Sequence, residues 1–426
     1  MAKGFSQRKS FDYEETFSPV AKMMSLRVLL AMAAHEKFVV HQLDVNSAYL
    51  NGVIDSDIFM SQPPGYVDVK RPNLVCQLLK GLYGIKQGGR LWHAVIHGFL
   101  LEIGFVQSTA DPCIYIRRSD TGIVLIGLYV DDHVIAGTLA AVLAVKAELR
   151  ARFDIKDLGP ARFVVGWQVE QDASGIRLSQ STYITTMLEE LGLTDVNVVR
   201  LPMSGGDVQG ISPDNIEPVN PTAYRNIIGK LMYAMVGTRP DIAFAVGVLG
   251  RFASNPSKAH FKMAQCTVVY LKGTKDSFLH YRPGQGPLKL EGYTNADWAG
   301  EIKTRKSTSG YVFLVNGCPV SWASKRQDSV ALSSTEAEYM AATQATKEAI
   351  WLQRLLADLG HPQKEATVIH EDNHGCIGLS KNPEHHQKTK HIDIQHHFVR
   401  EKVESNEVTL KACPSANQVA TSQRQI

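Results

Sequence analysis

Surplus charge, paired cysteines and long apolar runs are all scarce in this sequence. Over 426 residues, 45 basic side chains stand against 42 acidic ones, a formal charge of +3. No whole-molecule field therefore announces a polyanion binder, and any nucleic-acid groove must be local. The six cysteines, Cys76, Cys113, Cys266, Cys318, Cys376 and Cys413, stand singly. Without a CxxC pair they suggest neither a zinc site nor a redox dithiol, and buried free thiols are expected, since free cysteine packs as a small apolar group. The apolar run at 122–130 is nine residues long and stops at Asp131 and Asp132; crossing a bilayer takes about 20 apolar residues in a helix. The first residues lack an apolar signal core and carry acids that a transit peptide avoids. An intracellular chain that is not secreted and has no membrane partner is expected.

What is present is apolar content of 44%, enough for two or three packed domains. Helical periodicity marks 23–34, followed by an extended run at 38–45. The segment 74–101 is mixed, with a helix expected after a flexible 84–89 stretch rich in glycine. Runs at 113–117 and 123–129 flank an Asp-Thr-Gly turn and predict a hairpin. A helix at 140–153, a second hairpin from 163–169 and 176–178, and a helix at 182–191 follow. Residues 204–221, rich in Gly, Pro, Asp and Asn, read as a loop or linker; 224–271 reads as mostly helical. After 284–287 the pattern resets to strands at 288–293, 310–314 and 320–322. A helix at 334–359, a strand at 367–370 and a helix from about 373 complete an α/β unit. Domains are thus expected at 1–160, 161–286 and 287–426.

Chemistry is suggested first by Tyr129-Val130-Asp131-Asp132. An apolar strand runs into two acids and resumes at 134–137, so a hairpin would hold both carboxylates at its tip. Adjacent buried aspartates are strongly unfavourable without cations, and clustered hard oxygens are what magnesium takes. An exposed acidic turn is the competing reading.

The string LDVNSAYLNG (43–52), then FMSQPPGY (59–66), LLKGLYGIKQ (78–87), ADPCIYI (110–116) and LYVDD (128–132), resembles the motif order of copia-type retrotransposon reverse transcriptases. The likeness runs from AKGFSQ (2–7) and DYEETFSPVAK (12–22) to TKHID (389–393). It implies an α+β and α/β multidomain chain: a right-hand polymerase palm with partial fingers, a thumb and connection, then an RNase H-like domain. By resemblance, Asp44, Asp131 and Asp132 hold magnesium (Mg2+), with manganese (Mn2+) as an alternative, for two-metal nucleotidyl transfer. The partners implied are an RNA template, a DNA primer, the RNA-DNA hybrid and dNTPs. Tyr49 falls where related enzymes place an aromatic gate against a ribose 2′-hydroxyl; a core tyrosine is the alternative. Tyr83, Gly84, Lys86 and Gln87 match a segment that contacts nucleotide and template. The family then continues with Ser-Pro or Ala-Pro, where this chain has Gly88-Gly89, which would loosen the backbone by about 1 kcal/mol. Gly166 and Trp167 match the primer-holding segment, against a purely structural hairpin. Family members carry a further fingers segment before AKGFSQ, so the chain is expected to start inside the fingers.

The region after 287 resembles a nuclease domain with four carboxylates, of which two are altered. Asn295 stands where the family has aspartate and offers only one neutral carbonyl oxygen. Asp297, one strand repeat along the same face, is a weak substitute. Glu338 and Asp372 match the second and third acids, and Glu336 reads as an exposed acid of the helix's first turn. The fourth position is Thr421, in a tail that departs from the family pattern. Little or no RNase H activity is expected. His385, His386, His391, His396 and His397, with Lys388, Lys390 and Arg400, read as a basic substrate-facing helix, with zinc as the alternative. The competing class is a catalytically silent nucleic-acid-binding remnant. The resemblance widens the expected location to cytoplasm, virus-like particle or nucleus.

Overall fold

The computed structural model describes residues 2–203, 219–381 and 393–420, except for the side chains of 393–396. Two compact units emerge, Met1–Leu29 with Phe38–Ala161, and Leu30–Lys37 with Arg162–Ile426.

The first unit is built on a six-stranded antiparallel sheet. Its elements are α1 (Met23–His35, whose last residues belong to the second unit), β1 (Val39–Val45), β2 (Phe59–Ser61), β3 (Val75–Gln77), α2 (Gly88–Glu102), β4 (Val106–Gln107), β5 (Ile114–Ser119), β6 (Gly122–Tyr129), β7 (Asp132–Gly137), α3 (Leu139–Arg152) and β8 (Ile155–Pro160). Strand order is β4-β5-β6-β7-β1-β8, with β2 and β3 forming a separate ribbon. β6 is central and covered on both faces, which is why it reads as an unbroken apolar run. Gly127 lets α1 lie close against it: a Cβ there would stand 2.8 Å from Leu26 Cδ2. α1 is capped from afar by the buried Asp111, whose Oδ2 accepts from Ser25 Oγ at 2.5 Å and Lys22 N at 3.0 Å. α3 packs an Ala141, Val142, Val145, Leu149 stripe inward.

The second unit holds β9 (Phe163–Val164), β10 (Trp167–Asp172), β11 (Gly175–Ser179), α4 (Ser181–Glu190), α5 (Pro221–Gly237), α6 (Ala243–Gly250), α7 (Lys258–Gly273) and β12 (Leu279–Tyr281). It continues through β13 (Leu290–Asp297), β14 (Thr308–Val315), β15 (Cys318–Arg326), α8 (Ser334–Asp358), β16 (Thr367–Glu371), α9 (His374–Lys381), α10 (Asp393–Glu404) and β17 (Val408–Ala412). One sheet runs β12-β11-β10-β9, the other β15-β14-β13-β16-β17. In the latter, β13 pairs antiparallel to β14 but parallel to β16, and β16 pairs parallel to β17. The helices α4, α5, α6 and α7 share a core around Tyr224, Leu231, Leu249 and Val268.

Several sequence expectations change here. Gly88 and Gly89 do not form a flexible lead-in; they are the first turn of α2. The run 163–169 is not one strand: it reverses at Val165 and Gly166, with φ of 45° and 84°, a two-residue turn that a pattern of apolar residues does not reveal. No division falls at 286/287, because Tyr281 OH donates to Pro319 O at 2.8 Å and Trp322 Nε1 to Met235 O at 3.0 Å. β8 and β17 have no clear sequence signature, while α10 falls within the segment read as a basic helix. The loop expectation for 204–221 falls largely outside the described residues, although Pro221 starts α5 behind an Asn220 cap whose side chain accepts from Thr222 N at 2.9 Å. No helix among the described residues is long and apolar enough to cross a membrane. All six cysteines are free, four of them buried.

Candidate active site

The three aspartates meet through strand register. β1 pairs with β7 so that Asp44 lies directly opposite Asp132, while β6 and β7 close at Tyr129 and Asp132, leaving Val130 and Asp131 as the turn. Val130 has φ of 57°, a conformation that costs a β-branched residue about 1 to 3 kcal/mol. It is held from two sides: Trp92 Nε1 donates to Val130 O at 2.9 Å, and Val45 N donates to Asp131 O at 3.2 Å.

Each carboxylate has its own environment. Tyr83 OH donates to Asp131 Oδ2 at 2.6 Å, yet Asp131 Oδ1 is buried with no partner. Gln42, two residues before Asp44, donates through Nε2 to Asp132 Oδ1 at 3.2 Å. Burial raises the Asp132 carboxyl above the usual range, and the negative charges of Asp44 and Asp131 add to that against the Gln42 bond. Behind the hairpin, His133 is fully enclosed and burial pulls it down to about 4, so the imidazole is neutral at pH 7.

Tyr49 sits on a short 3-10 turn (Ala48–Asn51) after Ser47, whose φ is 52°. Its ring lies 4.3 Å from the Tyr83 ring at 40°, and burial, followed by the Asp131 charge, raises its hydroxyl pKa. The Tyr83 hydroxyl is raised too, by burial and then by its bond to Asp131. Tyr49, Tyr83 and the aspartate turn are thus one constellation. Gly84, exposed with φ of 100°, accepts from Gly4 N at 3.0 Å. Lys86 spends its Nζ on Gln7 O and Tyr13 OH, both at 3.1 Å. Gln87 is 0% exposed; its side chain bonds Asp12 O at 3.0 Å and Gln7 Nε2 at 3.1 Å. A direct nucleotide contact by Gln87 is therefore corrected to a structural role.

In the second unit the exposed turn residue Gly166 has φ of 84°, and a Cβ there would stand 2.1 Å from Tyr233 OH. Tyr233 OH in turn donates to Val165 O at 2.7 Å. Trp167 is fully buried, so its expected contact with a primer is corrected to core packing beneath that turn.

A second acidic group forms at the ends of β16 and α8. Glu338, Glu371 and Asp372 place oxygens within 4.8 Å of one another. Glu338 Oε2 and Glu371 Oε2 are buried without partners, and burial plus the facing carboxylates raises both groups well above the usual range. Asp372 accepts from Ser415 Oγ at 2.9 Å. Glu371 was not anticipated from the sequence, although its inward place follows from strand alternation at β16. Asp297 stays outside the cluster: it accepts from Thr308 N, and burial lifts its carboxyl to about 6. With Asn295 it lines a cavity of about 280 Å³ beside Phe244, Tyr311 and Trp322. Glu336 is 2% exposed rather than solvated: its Oε2 accepts from Leu332 N at 2.8 Å while its own N–H donates to Ser333 Oγ at 3.2 Å, closing the helix start. Arg400 is likewise buried, against the expected substrate-facing helix. Thr421, His385, His386 and His391 lie outside the described residues, as does the His396 side chain; His397 is exposed.

A family model for reverse transcriptase (RNA-dependent DNA polymerase) matches residues 1–205. The chain is 42% identical over 413 residues to the retrovirus-related Pol polyprotein from transposon TNT 1-94 of Nicotiana tabacum, covering 95% of this chain and 31% of that one. It is 33% identical over 311 residues to a putative transposon Ty5-1 protein of Saccharomyces cerevisiae, covering 72% of this chain and 100% of that protein. The chain spans about a third of the length of the curated polyproteins it matches. Among solved structures, a foamy viral protease-reverse transcriptase in complex with RNA/DNA hybrid is similar at a TM-score of 0.51 and 14% identity, over 90% of this chain and 45% of that one. That likeness concerns the fold, in keeping with the several sheets and mixed α/β architecture. Taken with the motif order and the pairing of Asp44 with Asp132, these relationships show that the chain belongs to the reverse transcriptase region of the copia-type retrotransposon Pol polyproteins.

Proposed function

We propose that the first unit is a template-directed DNA polymerase centre, with Asp44, Asp131 and Asp132 as ligands for divalent cations, magnesium in the first instance. The observation that carries this reading is the buried, unpartnered Asp131 Oδ1 beside an Asp132 whose ionisation is opposed by burial and like charge. Such a carboxylate group fits a cation and is unfavourable without one. Divalent ions at this site would supply charge neutralisation for the triphosphate and activation of the primer hydroxyl.

The chain's own residues do the positioning. The register pair fixes the Asp44 and Asp132 backbones, the strained Val130 turn holds Asp131 beside them, and Tyr83 fixes one Asp131 oxygen so that the other remains available. Tyr49, packed on Tyr83 and half-buried, would act as a gate that admits dNTPs and collides with a ribose hydroxyl; its ring contact with the donor to Asp131 supports that role. By resemblance, the exposed Gly166 turn would hold the DNA primer through its backbone, and the exposed Gly84 would meet the RNA template or the incoming nucleotide.

For the second unit we propose an RNase H-like fold with little or no hydrolysis of the RNA-DNA hybrid. Asn295 supplies no carboxylate and Asp297 is engaged at Thr308, which leaves a cluster of acids without the member expected on β13.

The test is primer extension with purified protein on poly(rA) and oligo(dT), with magnesium and dTTP. Extension by wild type that disappears in Asp131→Asn and Asp132→Asn supports the polymerase. Folded protein that binds the hybrid and extends nothing overturns it in favour of a silent binding remnant. Cleavage of labelled RNA in a hybrid, abolished by Glu338→Gln, would overturn the nuclease reading.

A further inference from the structure

We propose that the loop joining β13 to β14 in the second unit is a contact for single-stranded nucleic acid, with one unpaired base stacked on Trp298 and the flanking phosphates set against Lys303 and Arg305. Trp298 is 56% exposed, although tryptophan is highly buried on average. The ring is pinned in that position: its Nε1 donates to Ala331 O at 3.2 Å, which ties the indole to the connection between β15 and α8 and leaves much of its surface in solvent.

The loop is built, not slack. Ala299 N donates to Ser307 Oγ at 3.0 Å, Arg305 N to Glu301 O at 2.7 Å and Glu301 N to Lys306 O at 3.2 Å, so residues 299–307 close on themselves as a two-limbed finger. Ala299 and Arg305 both hold φ of 55°, a left-handed conformation that persists where the surroundings over-determine it. A preformed finger loses little freedom on binding.

Charge sets the sign of the ligand. Glu301 is spent inside the protein, since both its carboxylate oxygens accept from Arg326 Nη1 at 2.8 Å, and Asp297 accepts from Thr308 N. Lys306 Nζ donates to the neutral Asp328 O at 2.6 Å, a bond that cancels no charge. Lys303 and Arg305 are exposed and make no ion pair among the described residues. Three cations thus stand against the exposed carboxyl of Asp328.

A polynucleotide strand answers both features at once, phosphates to the cations and a base to the indole, because every base has a π-face. The base must be unpaired, since inside a duplex its faces are covered by its neighbours. Lys303 follows Trp298 by five residues, at most about 17 Å of chain, which about five nucleotides span at 3.4 Å each. The inference goes beyond the nuclease reading: it needs neither hydrolysis nor the polymerase centre, because the loop is tied to elements of the second unit.

The experiment is fluorine NMR of the full chain carrying 5-fluorotryptophan, with the Trp298 resonance assigned by Trp298→Phe. The ligands are oligo(dT) and an abasic strand of the same length and charge. Following Trp298 itself separates this loop from strands bound at the first unit. Oligo(dT) should shift the resonance saturably, with the abasic strand about tenfold weaker. Lys303→Gln combined with Arg305→Gln, both at exposed positions, should weaken oligo(dT) and reduce the salt slope of its affinity by about 1.4. A Trp298 resonance unmoved by oligo(dT), equal affinities for the two strands, or an oligo(dA)-oligo(dT) duplex that acts as strongly as the single strand overturns the proposal. A shift produced by phosphatidylserine vesicles and not by oligo(dT) overturns it too, and assigns the patch to a lipid surface. A chain that extends no primer but whose Trp298 still answers oligo(dT) refutes the polymerase reading and leaves this site standing.

Discussion

Lys146 on α3 is 3% exposed, a buried ammonium next to the strand that carries Asp44. Asp157 on β8 accepts from it at 2.6 Å, and the same carboxylate takes Arg150 at 2.7 Å and Gly159 N at 2.8 Å. The ammonium also meets Nδ1 of His41, on β1, at 2.9 Å. Burial opposes ionisation of Asp157, but Lys146, the Gly159 amide and Arg150 outweigh it and hold the carboxyl below its usual range. Replacing Asp157 by Asn leaves a buried charge with one neutral acceptor. Removing one partner of a buried pair costs about 3 to 5 kcal/mol. Asp157 keeps 19% side-chain exposure, so water softens the loss and about 3 kcal/mol is expected. With a urea slope near 2 kcal/mol per M for a domain of this size, the midpoint should fall by about 1.5 M.

The first unit contains a single tryptophan, Trp92, so the assay follows its resonance in 5-fluorotryptophan protein, assigned by Trp92→Phe. The pair Lys146→Met with Asp157→Leu should recover to within about 1 kcal/mol of wild type, because neither charge then needs solvation. A shift below 0.5 M in Asp157→Asn, or a double variant no better than the single, refutes the reasoning. The pH sign is fixed as well. A carboxyl depressed in the folded state contributes stability that is present above its unfolded value of about 3.9 and is lost as pH falls through the folded value, so acid should erase the difference between wild type and Asp157→Asn.

Four further outcomes follow from other residues. Tyr83→Phe, which deletes the bond to Asp131, should lower primer extension by about tenfold to a hundredfold with little change in melting temperature, since a hydrogen bond to a charged group is worth about 1.5 to 3 kcal/mol. Gly88→Ala should raise stability by about 0.5 to 1 kcal/mol in the same urea assay, because the position is helical and a Cβ meets Ile85 Cγ1 at an ordinary 3.4 Å. Asp297, raised to about 6 by burial, stays protonated when folded after the unfolded group has ionised. Its contribution to the stability of the second unit should therefore fall by up to about 3 kcal/mol as pH rises from 4 to 6, and Asp297→Asn should make the slope shallower in urea titrations, leaving the part supplied by the raised Glu338 and Glu371. A thiol reagent on native protein should modify Cys76 and Cys266 rapidly and the four buried cysteines only on unfolding, since burial keeps Cys113 and Cys376 protonated.

The sequence by itself determined the local elements and the acids. An apolar run that stops at Asp131-Asp132 and resumes reads as a hairpin with carboxylates at its tip, because alternation and turn chemistry are encoded within a few residues; that the tip is a site and not an ordinary acidic turn came from the motif order. The motif order extended that to the family, and Asn295, where the resemblance leads one to expect an acid, is visible in one letter. Tertiary structure alone decided which acids meet and which candidates face a ligand. Asp44 joins Asp132 through strand register, and Tyr83 reaches Asp131 across a distance in sequence that no periodicity encodes. Burial turned Gln87, Trp167 and Arg400 inward, where the motif had suggested contact with nucleic acid. It also brought Glu371 into a cluster with Glu338 and Asp372, because the inward face of a short parallel strand is fixed by its neighbours rather than by its own five residues.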